Sequence, residues 1–146
     1  MSDDSMDGIS KDVPYDLRQI YAVELLGEHL KDVARARKSD NFLLYYKCLK
    51  DVWIVVQHKI KDGEKDKVEV VINGEEKLLS KKEYFNYLLK TVADLANANR
   101  AEWLGQSHDP DKVATIEQAL NNVEIFLYDE IENAKIFGSS KDIPGL

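Results

Sequence analysis

Apolar residues recur every three or four positions through most of the chain, the period of one face of an α-helix. The pattern is densest from Asn41 to Ile60, NFLLYYKCLKDVWIVVQHKI. Here Phe42, Tyr45, Tyr46, Leu49, Val52, Trp53, Val56 and Ile60 make one face, while Leu44, Cys48 and Val55 add a second strip beside it. Leu43 and Ile54 fall on the side that should meet water. A helix apolar on more than one side touches more than one neighbour, so this stretch is expected at the centre of a bundle, or buried in part by a second subunit. The run Val52 to Val56 is β-branched and aromatic and would also suit a buried strand. The helical phase holds over the whole stretch, which favours a helix.

Before it, Asp12 can cap and Pro14 suits a first helical turn, where its missing N–H is no loss. From Asp16 to about Arg37 the apolar face runs through Val23, Leu26, Leu30, Val33 and Ala34, with Glu24, Glu28, Lys31, Asp32 and Arg35 opposite at ion-pairing spacings. Ser39-Asp40-Asn41 is a short break with capping chemistry, so the first two helices should be antiparallel neighbours.

After a charged loop come Val68-Glu69-Val70-Val71-Ile72, Asn73-Gly74 and Glu75-Glu76-Lys77-Leu78-Leu79. Asn-Gly between two strand-like runs predicts a type I′ hairpin, since both turn residues must take positive φ. A lone two-stranded hairpin is marginal in water, so packing on the bundle is expected. Ser80 and Glu83 then form a capping box. The third helix shows Phe85, Leu88, Leu89, Val92, Leu95, Ala96 and Trp103 on one face, with Asn99 inside it as a candidate buried amide. Gly105 to His108 ends that helix. Asp109-Pro110 starts the last one, whose face is Val113, Ile116, Ala119, Leu120, Val123, Phe126, Leu127, Ile131 and Ala134, with closure expected at Gly138. Glu130 borders this face; it is the one acid to watch for burial, with reach to solvent the plainer expectation.

The expected architecture is therefore mainly α: a four-helix bundle with a β-hairpin at 67–79 between helices two and three. Residues 13–138 form one domain, 1–12 a disordered acidic tail, and 139–146 a C-terminal tail with Ile143 and Leu146 as apolar anchors. At 146 residues, 44% hydrophobic and 32% charged, the chain can bury a core without disulfides or metal. The single cysteine excludes an internal disulfide. Without an apolar run of membrane-spanning length or a basic-then-apolar leader, a cytoplasmic or otherwise intracellular protein is expected.

The net charge is −7. Asp3, Asp4, Asp7 and Asp12 against Lys11 leave −3 at residues 1–12, and seven acids against Lys112 and Lys135 leave −5 at residues 105–137, so the remainder is +1. An acidic chain argues against a nonspecific phosphate-backbone binder. Arg35, Arg37, Lys38, Lys81 and Lys82 leave room for a small basic patch, although cations at a helix C-terminus also complement its dipole.

Candidate chemistry is sparse. No Gly-rich phosphate loop, Cys-x-x-Cys or Glu-x-x-His string occurs, and His29, His58 and His108 lie on different segments without a helical metal-pair partner. Glu24 and Glu28 point away from the apolar stripe. The sequence thus calls for no catalytic group, cofactor or metal. It favours a noncatalytic interaction protein whose contact candidates are Leu43, Ile54, Val70, Ile72, Ile143 and Leu146, with a protein partner or self-association. Two alternatives remain: a carboxylate-metal hydrolase using Glu130 with acids of another helix, and a nucleic-acid accessory protein or acidic nucleic-acid mimic.

Overall fold

The computed structural model describes residues 15–137. Four long helices, α1 (Tyr15–Lys38), α2 (Phe42–Val56), α3 (Lys81–Ala98) and α5 (Pro110–Asn133), are joined by a one-turn helix α4 (Arg100–Trp103) and an antiparallel hairpin of β1 (Val68–Ile72) and β2 (Glu75–Leu79) between α2 and α3. The fold is mainly α with one inserted hairpin. Val52 to Val56 is helical and ends in a 3-10 turn at Gln57–Lys59, so the strand alternative is set aside.

Each boundary follows from local chemistry. Asp40 takes positive φ after α1, and the Asn41 side chain accepts from the Leu44 N–H to start α2. Asn73 and Gly74 both have positive φ, at 53° and 81°, the type I′ turn that Asn-Gly favours. At the start of α3 all four leading donors are met: Glu83 accepts from the Ser80 N–H, Ser80 from the Glu83 N–H, and the Asp62 carboxylate from the Lys81 and Lys82 N–H groups. Asp109 accepts from the Asp111 and Lys112 N–H groups to start α5, with Pro110 in the first turn.

The core lies where α1 meets α2, α2 meets α5 and α5 meets α3. Phe42, Tyr45, Leu49, Val52 and Val56 turn inward from α2, meeting Leu26, Leu30 and Val33 of α1 and Ile116, Leu120, Val123 and Leu127 of α5 within one cluster. Trp53, Phe85 and Phe126 join α2, α3 and α5 at its centre; Trp53 stacks on Phe85 with centroids 4.2 Å apart and planes 11° from parallel. Trp103 ties α4 to the start of α2 by stacking on Phe42 and meeting Tyr46 edge-on.

Four expectations are corrected. The third helix does not run through to Trp103: at Asn99 (φ −125°, ψ 50°) the backbone leaves helical geometry, and the Asn99 N–H and side-chain amide both donate to the Leu95 carbonyl. The asparagine side chain thus shares a carbonyl with the helix's own N–H bond, as polar side chains do at helix ends, and the short α4 follows. Ala36, not Ala34, is the small buried residue near the end of α1. Helix α5 stops at Asn133, where Ala134 caps and Lys135 takes φ 54°, before Gly138 is reached. The hairpin, finally, is not laid on the bundle; β2 meets α3, the helix it runs into, while Val71 and Leu78 stay 63% and 59% exposed. Asp12, Pro14, Gly138, the acidic tail and the C-terminal tail with Ile143 and Leu146 lie outside the described residues.

Leu120 is fully buried and Ile125 largely exposed on the same helix. Leu120→Ala should therefore cost about 2–5 kcal/mol in urea unfolding, and Ile125→Ala within about 0.5 kcal/mol of zero.

Candidate functional site

Helix α5 carries two buried acids on its inward side. Glu124 stands one turn after Leu120 and one turn before Tyr128, so the same periodicity that buries those residues draws its carboxylate into the interface with α1 and α2. Arg37 of α1 donates to Glu124 Oε2, and the Tyr45 hydroxyl of α2 donates to Oε1. The Asn121 side-chain amide lies 2.9 Å from the same hydroxyl. Both carboxylate oxygens are thus taken up, one by a cation and one by a phenol.

The field of this carboxylate is felt by two tyrosines. Burial, then the hydrogen bond to Glu124 and its charge, hold the Tyr45 phenol far above its ordinary range. Burial and the same charge push Tyr128 up to about 12. Both phenols therefore stay protonated at neutral pH, and the cluster is a clamp between three helices.

The second acid, Glu130, does not reach out to solvent. Lys81 Nζ, at the first position of α3, donates to its Oε2 at 2.5 Å and also sits 6.0 Å from the Phe126 ring centroid. A cleft of about 220 Å³ beside this pair is lined by Lys61, Asp66, Lys81, Glu130, Asn133 and Ala134. A third buried acid, Glu102, is held 4% exposed by α4. Sequence reasoning passed over Glu124 and Glu102. Their signal was positional: each lies at the spacing of an apolar face, seven residues before Ile131 and seven after Leu95.

The remaining candidates are dispersed. Asn99 is only half-buried and bonds its own helix. Cys48 is half-buried, and burial with the Asp32 and Asp51 charges pushes its thiol up, so it stays a thiol rather than a nucleophile. Glu24 is exposed, and Glu28 pairs with Lys31 at 3.2 Å on the outer face of α1. Arg35 pairs with Asp32, Arg37 with Glu124 and Lys81 with Glu130, so these cations are engaged within the chain. Among the described residues no group of three or more His, Cys, Asp or Glu is placed to hold a metal ion, and no helix is long and apolar enough to cross a membrane.

Leu43 and Ile54 are exposed on α2, on the strip that also carries Lys47 and Lys50; Leu44, beside them, is exposed as well. Val70 and Ile72 share a half-buried hairpin face with Val68, whereas Val71 and Leu78 occupy the open face. Val71 and Leu78 were not singled out from the sequence, although strand alternation places them opposite Val70 and Ile72. Compared with known proteins, the chain matches no family model, no curated protein and no solved structure.

Glu124→Gln should destabilise the protein by about 1–3 kcal/mol in urea, less than a fully buried pair would cost because the Arg37 side chain is one-third exposed. Glu117→Gln, on the exposed side of α5, should change little. An unfolded tyrosine titrates near 10, so the stabilisation from Tyr45 and Tyr128 is complete below about pH 10 and is lost as pH rises through their higher folded values. Thermal melts from about pH 8 to about pH 11 should show a falling midpoint above about pH 10, with a shallower fall in a Tyr45→Phe, Tyr128→Phe double variant.

Proposed function

We propose that this protein acts without catalysis, as an adaptor, assembly component or inhibitor that binds protein through the exposed surface of α2 and the hairpin. The observation that carries this reading is the open face of the hairpin. Val71 and Leu78 are both more than half exposed on a two-stranded ribbon, and among the described residues no helix covers that side. Such a ribbon is marginal alone and presents unpaired backbone at its edges, so a bound chain would stabilise it. A shallow concavity of about 370 Å³ follows the ribbon, lined by Glu69, Val71, Glu76, Leu78 and their neighbours.

Leu43, Leu44 and Ile54 extend the apolar surface available on α2. The charge of −7 favours a protein partner over a phosphate backbone. Intramolecular pairing of Glu124 and Glu130 supports a structural role for the buried acids, and the exposed apolar residues lie on a different surface from them.

A variant carrying Leu43→Lys, Ile54→Lys, Val71→Lys and Leu78→Lys changes only exposed positions and should keep the helicity of the wild type. Two properties are compared: the mass by light scattering over a hundredfold range of concentration, and the set of proteins retained from a native host extract. The variant should lose whatever assembly or retained partner the wild type has. Identical behaviour of the two proteins in both measurements would overturn the reading.

A further inference from the structure

The hairpin edge can be followed one step further, resting on the reading that this protein works by protein contact. In a two-residue hairpin the residues flanking the turn, here Ile72 and Glu75, form a closely hydrogen-bonded pair, and the pattern alternates from there. Ile72, Val70 and Val68 therefore turn their N–H and C=O groups to β2. Glu69 and Val71 turn theirs outward, where no third strand lies among the described residues.

We infer that the β1 edge pairs antiparallel with β1 of a second copy of this chain, centred on Val70, so that two hairpins make one four-stranded sheet. Backbone direction, side-chain pattern and charge all select this occupant and this register. With Val70 opposite Val70 of the second copy, Glu69 and Val71 face Val71 and Glu69 of that copy, so each outward N–H meets an outward C=O and four backbone hydrogen bonds form. All five residues of β1 pair.

On one face Val68, Val70 and Ile72 of both copies, together with Leu79, then make a continuous apolar row across the joint. On the other, each Glu69 lies directly opposite a valine rather than a charge. The competing two-fold registers are worse, since pairing about Val71 or Leu78 joins only three strand residues of each copy, and others set like charges together. Pairing about Glu69 sets glutamate on glutamate, and pairing through β2 about Lys77 sets lysine on lysine, where like charges directly opposite destabilise a sheet. A two-fold joint of this kind is closed, so it stops at a dimer.

The full chain is tested in three forms. The wild type should weigh twice one chain by light scattering at high concentration and dissociate on dilution. Val71→Pro removes an outward N–H that the hairpin itself does not use, and it should be monomeric with unchanged helicity. In a Cys48→Ala background, Val70→Cys should form a disulfide-linked dimer on mild oxidation, because the two β-carbons face each other across the two-fold axis. Ile72→Cys and Lys77→Cys should not, being set apart from their own copies; this cross-linking pattern also decides the matter if Val71→Pro fails to fold.

A wild type that remains monomeric at every concentration would overturn the inference. So would cross-linking through Lys77→Cys instead of Val70→Cys. A dimer that survives Val71→Pro but dissociates in Leu43→Lys, Ile54→Lys would also overturn the edge pairing, while leaving the broader reading of a contact protein in place.

Discussion

The fold depends on how α5 satisfies the acids it buries. A helix with ten inward residues must sink Glu124 and Glu130 along with the leucines and valines around them. A carboxylate taken from water is costly unless a cation or donor meets it, so each acid dictates where a neighbour must stand. Glu124 requires Arg37 from α1 and Tyr45 from α2; Glu130 requires Lys81 from α3. Six residues apart, the two acids lie about 9 Å apart along the axis. Between them they fix α1, α2 and α3 against α5 at two heights. Apolar packing supplies most of the burial, but it is non-directional and would tolerate a slide that these pairs do not.

Lys81 shows how one position couples three elements. Its backbone N–H is held by Asp62 from the loop after α2, and its ammonium by Glu130 near the end of α5. The same residue begins the helix that follows the hairpin. The hairpin is therefore anchored at both roots, at Asp62 before it and at Ser80 and Lys81 after it, while the face with Val71 and Leu78 stays exposed. A firmly rooted ribbon with one open face is a suitable shape for presenting an edge.

The periodic parts of the fold were legible in the sequence because a single physical rule generated each of them. Helices α1, α2 and α5 follow from apolar spacing, the turn from Asn73-Gly74, and the start of α3 from Ser80 and Glu83. What escaped the reading was decided by competition between rules. The face through Leu95, Asn99 and Trp103 is continuous on a helical wheel, yet the Asn99 side-chain amide joins the ordinary helical N–H bond on the Leu95 carbonyl, and the Asn99 backbone leaves helical geometry there. Glu124 was hidden for the opposite reason. Its position fitted an apolar face and its chemistry did not, and only the three-dimensional arrival of Arg37 and Tyr45 resolves the conflict. The candidate site was less legible still: alternation along β1 marks two faces but does not say which of them the rest of the chain will cover.

The two exposed apolar surfaces are not equivalent. On α2 the strip from Leu43 to Ile54 passes the exposed Lys47 and Lys50, and beyond the first turn the N–H groups are taken up by the helix ladder itself. Exposure on α2 costs only solvated area. On β1, by contrast, Glu69 and Val71 present backbone donors and acceptors whose direction is fixed by the ribbon. Water can satisfy them, but a strand satisfies them in register and covers apolar side chains in the same step. Natural edges are commonly blunted by lysine, proline or a bulge, and β1 has none of these; its one charge, Glu69, sits where an antiparallel copy places a valine. Under the proposed pairing, an edge that is unbulged and that no other strand meets among the described residues serves as a joint rather than a boundary.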